Sequence, residues 1–202
     1  MRTLLKFGTN NLYVATFLLF LIPISSSPVI AGPEQFIRMV GEEAINALTD
    51  KKISNQIRKT RFRKILNRSF EVKFIARFAL GRYWRRANKN QLSEYTYLFE
   101  EFIVQSYANL FKDYSGETFN VLKVRGINEI DQLVQSEVFL KDGRKIRVSW
   151  RVRGSETFKI VDVMIEGVSM VLTQRDEFAA IISQNNGKIE ALLSALRLKS
   201  TR

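Results

Sequence analysis

The chain has 202 residues and contains neither cysteine nor histidine. Without cysteine it has no disulfides, no thiolate nucleophile, and no zinc or iron–sulfur site with cysteine ligands. Without histidine it lacks the commonest general base near neutral pH, the Ser-His-Asp triad and most zinc chemistry. These two absences exclude most of the hydrolase and metalloenzyme repertoire.

Proline is scarce as well, and its three copies, Pro23, Pro28 and Pro33, all lie near the amino terminus. Hydrophobic residues make up 46% of the chain and charged residues 26%, which is typical of a globular protein and not of a disordered one. Neither an internal repeat nor a Gly/Ser/Pro-rich linker divides the chain after Pro33. We therefore predict one domain over residues 32–202.

The first 31 residues have the features of a secretory signal peptide. Arg2 and Lys6 precede an apolar run over residues 12–24, and a serine-rich break with small residues up to Ala31 follows it. The alternative is a membrane anchor, but a spanning helix needs about 20 apolar residues and this run is shorter. We predict a cleaved signal peptide at residues 1–31 and a mature protein outside the cytoplasm.

Residues 33–111 show helical spacing of apolar residues in four stretches, and a proline at position 33 suits the first turn of a helix. Residues 145–153 instead alternate strictly, which predicts a half-buried antiparallel strand. Asp142-Gly143 is a strong hairpin signal and makes residues 133–140 its partner strand. Residues 119–125 and 158–166 complete about four strands. Thr173 with Asp176 resembles the cap of the first of two carboxyl-terminal helices.

This order predicts an α+β fold, in which N- and C-terminal helices wrap an antiparallel sheet of about four strands. Such a sheet often encloses a cavity. The apolar face of the strand at 145–153 would then look across it at helices. A filled core explains the same pattern, and the residues alone leave both alternatives open.

Positive charge is concentrated between residues 51 and 90, which contain 14 basic residues and one acid, Glu71. Such a patch attracts an anionic lipid surface, an acidic partner or nucleic acid, although many charged helix faces are merely solvated. Nucleic acid is a poor partner, since the chain has no motif that reads DNA or RNA. We expect Arg82, Arg85 and Arg86 to meet headgroups or a partner, or else to pair with Glu71 or a helix end.

The remaining polar residues form no catalytic constellation. Asp162 and Glu166 are four residues apart on one strand, about 13 Å, too far for a close carboxylate pair. The chain has no glycine-rich phosphate loop and no Gly-x-Ser-x-Gly elbow. We predict no enzyme activity, no metal and no cofactor.

Two stretches carry family character. The first covers residues 74–87, including Leu-Gly-Arg-Tyr-Trp-Arg at 80–85, and continues with Gln91, Phe99, Phe102 and Tyr107. The second covers residues 160–171, including Glu-Gly-Val-Ser-Met at 166–170, and continues with Arg175, Phe178, Ile181 and Ile182. Together with the signal peptide they resemble the MlaC-type periplasmic phospholipid-binding proteins, the toluene-tolerance auxiliary family of an ABC lipid transport system. Gln174 and Phe158 depart from that pattern, since many relatives have an aromatic residue and a tryptophan at these places.

The resemblance implies an NTF2-like or cystatin-like fold whose apolar cavity holds phospholipid acyl chains, with the headgroup near solvent. It implies a periplasmic carrier that moves lipid between an outer-membrane lipoprotein–porin complex and an inner-membrane ABC transporter with an MCE-domain ring. We expect a monomer. The residues expected to line the cavity are Phe99, Phe102, Ile103, Ile146, Val148, Trp150, Val152 and Val163.

Three alternatives stay beside this expectation. Some relatives are associated with other apolar cargo, including hopanoid-type lipids. An NTF2-like fold also hosts enzymes, and Asp162 is the strand carboxylate that such an enzyme would use. The third alternative is a basic interaction module with a filled core.

Overall fold

The computed structural model describes residues 32–113 and 116–200, so the predicted signal peptide at 1–31 lies outside the described residues. Short 3-10 helices at Gly81–Arg85 and Ala108–Asp113 extend the third and fourth α-helices. The elements are α1 (Pro33–Leu48), α2 (Asn55–Ser69), α3 (Val72–Leu80), α4 (Lys89–Tyr107), β1 (Thr118–Gly126), β2 (Asp131–Phe139), β3 (Lys145–Arg153), β4 (Lys159–Ile165), β5 (Val168–Ser169), α5 (Met170–Gln184) and α6 (Ile189–Ser200).

Local sequence explains where α1 and α4 begin. Pro33 occupies the first turn of α1, where its missing N–H costs no hydrogen bond. A capping box starts α4: the Asn88 side chain accepts from the Gln91 N–H at 2.9 Å, and the Gln91 side chain accepts from the Asn88 N–H at 3.1 Å.

The predicted cap of α5 is wrong. The helix begins at Met170, and Ser169 is its cap, accepting from the Leu172 N–H at 3.1 Å. The Ser169 hydroxyl in turn donates to Asp162 in β4 at 2.6 Å. Thr173 lies within the first turn, where its hydroxyl donates to the Ser169 carbonyl at 2.9 Å. Ser169, four residues before Thr173, therefore caps α5, and its hydroxyl also bonds to Asp162 in the preceding strand.

The strands form one antiparallel sheet in the order β1-β2-β3-β4-β5. The prediction of an α+β fold with about four strands is confirmed, with the two-residue β5 as an addition. The Asp142-Gly143 hairpin is confirmed too: Gly143 has φ +86°, a conformation that favours glycine, and its N–H donates to Leu140 O at 3.1 Å.

The described residues bury two separate apolar cores. One lies among α3, α4, α5 and α6, and we call it the helical core. The other lies where α1 and α2 pack on one face of the sheet, and we call it the α1–sheet cluster. No helix within residues 32–113 and 116–200 is both long and apolar enough to cross a membrane.

Candidate functional site

One face of the sheet is apolar across four strands. The register places Val134 opposite Trp150 and Trp150 opposite Val163, so three strands contribute to one row. Neighbouring rows hold Val148 and Val152, which are buried, and Ile146, which is half-buried. The five strand residues expected at the lipid site therefore share one face.

The α1–sheet cluster covers part of this face. Its buried members are Phe36, Ile37, Val40, Leu48, Ile65, Val134, Val152, Phe158 and Ile160. Half-buried apolar side chains surround them, namely Ala44, Ala47, Phe62, Phe70, Phe111, Phe119, Val121, Trp150 and Val163. A continuous apolar and aromatic surface that is only partly covered is the kind of surface on which an apolar ligand binds.

Trp150 is fixed at the centre of this face by a hydrogen bond. Its indole Nε1 donates to the Ser136 hydroxyl at 2.9 Å, and that hydroxyl donates to Val148 O at 3.0 Å. Ser136 is buried, so both bonds are shielded from water. The Phe119 ring meets the Trp150 ring edge to face, with centroids 6.2 Å apart. A tryptophan whose polar atom is satisfied presents the rest of its ring as apolar contact surface.

Gly41 brings α1 close to the sheet. A Cβ at this position would lie 2.6 Å from Phe119 Cε1, closer than a carbon–carbon contact permits. The helix therefore uses the absence of a side chain to approach β1, and Gly41 sets the spacing between α1 and the sheet at Phe119.

The three residues expected from α4 lie elsewhere. Phe99 and Phe102 belong to the helical core, where both rings pack near Phe178 with centroids 6.2 and 6.1 Å from it. Ile103 packs against the same core. The structure thus does not bring this set together with the strand residues, because α5 and α6 cover the apolar stripe of α4.

Sequence reasoning missed the helical wall that does face the sheet, formed by Phe36, Val40, Phe62 and Phe111. The apolar stripe of α1 was visible in the sequence. Nothing in helical periodicity, however, says which of several stripes packs on a sheet, because every stripe has the same period.

A second feature is an open cleft of about 210 Å³ on the helical side of the molecule, which we call the arginine cleft. Aromatic faces hold two of its cations: Arg77 Cζ lies 6.0 Å from the Trp84 ring centroid, and Arg175 Cζ lies 5.1 Å from that of Phe78. The cleft is lined by Phe74, Arg77, Phe78, Gly81, Trp84, Arg85 and Arg175.

Of the three arginines expected to meet headgroups or a partner, only Arg85 lines this cleft. Arg82 and Arg86 lie over the Tyr83 ring, with Cζ 5.9 and 5.4 Å from its centroid. Within the described ranges, none of the three forms an ion pair with Glu71 or another carboxylate.

Other cations of the basic segment have structural partners. Arg63 pairs with Glu100 and Glu101 of α4 at 2.9 and 2.7 Å. Arg68 pairs with Glu43. Arg58 is buried and donates to Leu48 O at 2.8 Å, which satisfies a carbonyl at the end of α1. The described cations of this segment that have no carboxylate partner therefore include those of α3 and the 3-10 helix after it, among them Arg77 and Arg85.

A second open cleft, of about 320 Å³, is lined by Phe102, Gln105, Ser106, Asn109 and Lys199. The Lys199 ammonium lies 5.0 Å from the centroid of the Phe102 ring. Of the α4 residues expected at the lipid site, Phe102 is thus the one that lines an open cleft, and the other residues around that cleft are polar or charged.

One carboxylate has a strongly shifted pKa. Asp131 is buried at the start of β2, where Arg153 donates from Nε to Oδ1 at 2.7 Å and Arg151 donates from Nε to Oδ2 at 2.9 Å. These hydrogen bonds, that of Arg153 first, lower the pKa of Asp131 to about 2. The group fixes the end of the β2–β3 pair and has no free face for a proton-transfer role.

Comparison with known proteins identifies the family. A family model described as MlaC protein matches residues 38–198, well over half of the chain. The chain belongs to the MlaC family. The matched region begins within α1 and ends within α6, so it contains the complete sheet and every residue that lines the arginine cleft, whereas Lys199 of the second cleft lies one residue beyond it.

A solved structure also has this MlaC fold. It is the phospholipid-binding protein of Ralstonia solanacearum, determined at 1.53 Å in complex with a phospholipid. It superposes with a TM-score of 0.76 at 19% sequence identity, over 85% of this chain and 98% of the other. At this identity the likeness establishes a common fold, and the arrangement of helices around the antiparallel sheet is shared.

Proposed function

We propose that this MlaC-family protein is a periplasmic carrier that binds a phospholipid by its acyl chains at the α1–sheet cluster. The observation that carries the proposal is the apolar face of β1 to β4, which α1 and α2 cover only in part. Family membership and the phospholipid in the Ralstonia protein of the same fold support it.

The energetics of the cargo explain why a carrier needs such a surface. Two acyl chains expose about 30 methylenes, and each costs about 0.8 kcal/mol in water, so their transfer costs on the order of 20 kcal/mol at most. Lipid therefore does not cross an aqueous space unaided. Shielding that surface requires apolar side chains and no catalyst.

The proposed wall on the sheet side keeps Ile146, Val148, Trp150, Val152 and Val163. On the helical side we place residues that share the cluster with Trp150, Val152 and Val163, and these belong to α1, α2 and the 3-10 helix after α4: Phe36, Val40, Phe62 and Phe111. Lipid contact at Phe99, Phe102 and Ile103 stays a prediction, which the same experiments test.

The proposed setting follows the family. Export by the segment at 1–31 would deliver residues 32–202 to the periplasm as a monomeric lipid-binding domain. There the protein would exchange lipid with an inner-membrane ABC transporter carrying an MCE-domain ring and with an outer-membrane lipoprotein–porin complex. Family membership supports a carrier in preference to an enzyme. Asp162, the one carboxylate suspected of catalysis, instead accepts from the Ser169 hydroxyl and the Val171 N–H at the start of α5.

The proposal is tested by native mass spectrometry of the exported protein, purified from cells that express the full chain, followed by lipid extraction. We expect bound phospholipid. A hopanoid in the extract would still support a lipid carrier, but one with a different cargo. A bare protein mass under conditions that preserve lipid complexes would refute the carrier.

A matched pair of variants locates the site. Val121 is half-buried in the α1–sheet cluster, whereas its neighbour Leu122 is 53% exposed. Val121→Trp should reduce the bound lipid because the larger ring occupies the apolar face, and Leu122→Trp should retain it. Equal lipid content in the two variants would place the acyl chains elsewhere, and loss of lipid in Phe102→Ala alone would favour the α4 residues.

A further inference from the structure

We propose that the arginine cleft is a binding site for a phosphate group, separate from the acyl-chain site. Three cations line it, namely Arg77 from α3, Arg85 from the 3-10 helix and Arg175 from α5. None of its lining residues belongs to the α1–sheet cluster. The site therefore goes beyond the proposed carrier function and does not depend on it.

The cations of the cleft are free to bind an anion. Among the described residues, none of the three guanidinium groups lies within ion-pair distance of a carboxylate. Arg77 and Arg175 lie near the Trp84 and Phe78 rings, and a ring face attracts a cation without using its N–H donors. Those N–H donors match the oxygens of a phosphate, because one guanidinium can donate two parallel hydrogen bonds to two phosphate oxygens.

Gly81 contributes to the shape of the cleft. Its φ of +57° is unfavourable for any other residue, and it ends α3 by donating its N–H to the carbonyls of Arg77 and Phe78. A Cβ there would lie 3.0 Å from Arg175 Nε. The absence of a side chain at Gly81 thus lets the Arg175 side chain pass close to the turn that ends α3.

The cleft suits a small ligand. Its volume of about 210 Å³ is below the roughly 300–1,000 Å³ typical of sites for larger organic molecules. It is open to solvent, so the phosphate group of an ester can enter while the rest of the molecule stays outside. Two sources have this chemistry: free phosphate in solution and the headgroup of a phospholipid at a membrane surface.

Trp84 lines the cleft, and the chain has one other tryptophan, Trp150. In a Trp150→Phe background, the fluorescence of Trp84 therefore reports on the cleft directly. We would titrate this protein with inorganic phosphate against chloride at constant ionic strength. In parallel we would measure its sedimentation with vesicles of phosphatidylglycerol at several salt concentrations.

The test variant is Arg77→Gln/Arg85→Gln/Arg175→Gln. The control, Lys51→Gln/Lys52→Gln/Lys59→Gln, removes the same charge from the α1–α2 turn and α2, outside the cleft. We expect a saturable change in Trp84 emission with phosphate, kept in the control and weakened at least tenfold in the test variant, since each lost charged hydrogen bond costs about that factor. Circular dichroism confirms that both variants fold.

The two assays together show whether the cleft binds free phosphate or a lipid headgroup. A phosphate response lost only in the test variant supports a site for free phosphate. No phosphate response, together with vesicle binding lost only in the test variant, supports the same site for headgroups. Equal behaviour of test and control in both assays overturns the proposal, because general positive charge then explains any binding.

The lipid content of the arginine variant, measured with Trp150 in place, distinguishes this proposal from the carrier function. Lipid that co-purifies with a protein lacking any cleft-dependent binding leaves the carrier intact and overturns the cleft. A phosphate response that depends on the cleft, in a protein that never carries lipid, supports the cleft and refutes the carrier.

Discussion

Replacing Asp131 by asparagine tests how the sheet is held at the end nearest the arginine cleft. The Asp131 side chain is 1% exposed and receives hydrogen bonds from Arg151 and Arg153. Arg153 also lies over the Phe74 ring, with Cζ 4.3 Å from its centroid. Asp131→Asn removes the charge, so that two partly buried guanidinium groups lose their carboxylate.

The magnitude follows from the pKa. Folding lowers the pKa of Asp131 from its ordinary 3.8 to about 2, chiefly through the hydrogen bond from Arg153. A depressed pKa stabilises the fold above the unfolded value, and this contribution is lost as the pH falls from about 4 to about 2. At 1.36 kcal/mol for each unit it amounts to about 2 kcal/mol near neutral pH. Because Asp131→Asn also leaves Arg151 and Arg153 without their carboxylate, we expect it to lower the free energy of unfolding by about 2–4 kcal/mol.

Urea denaturation of both proteins over a series of pH values measures the difference in their free energies of unfolding. That difference should be largest near neutral pH and should shrink below about pH 4 as the wild-type carboxylate takes up a proton. Asp142→Asn is the control, because Asp142 pairs with Arg144 in an exposed turn and should change stability little. A difference between wild type and Asp131→Asn that is independent of pH would refute the electrostatic explanation.

Three further substitutions test the packing of the helices. Gly41→Leu should push α1 away from Phe119, cost about 1–3 kcal/mol of unfolding free energy and reduce the phospholipid seen by native mass spectrometry; unchanged stability would show that α1 does not rest on the sheet as described. Arg58→Met should cost about 1–3 kcal/mol in urea denaturation, because Leu48 O then loses its donor; Lys59→Met, one residue on, is the control. Ser169→Ala should lower the melting temperature by about 2–4 °C through loss of the α5 cap, and an equal loss in Thr173→Ala would contradict this assignment of the cap.

Sequence reasoning recovered the elements whose signals are local. The strict alternation at residues 145–153 coincides with β3, and the Asp-Gly pair fixed the hairpin before it. Both signals depend on backbone geometry within a few residues, so no knowledge of the rest of the chain was needed.

Sequence reasoning placed the expected strand residues on one face of the sheet, but it did not identify the helices that cover this face. Alternation places Val148, Trp150 and Val152 on one face whatever covers them, whereas the identity of the covering helix depends on packing between distant segments. The helix with the most evident aromatic stripe, α4, turned out to supply Phe99 to the helical core. The α1 helix, whose glycine at position 41 allows close approach, packs on β1 and β2 instead.

Successive side chains of a strand point to opposite faces of the sheet, and in β3 these two faces differ in character. Trp150 and Val152 of β3 face the α1–sheet cluster, whereas Arg151 and Arg153 alternate with them and face the other way. Arg153 thereby reaches Phe74, at the rim of the arginine cleft, from the residue next to Val152. Single-residue steps along β3 thus separate an apolar face from a face that carries Arg151 and Arg153, whereas the cations of the proposed phosphate site come from α3, a 3-10 helix and α5. A one-residue shift in the register of β3 would exchange the two faces, and the Asp131 ion pairs at its end oppose that shift.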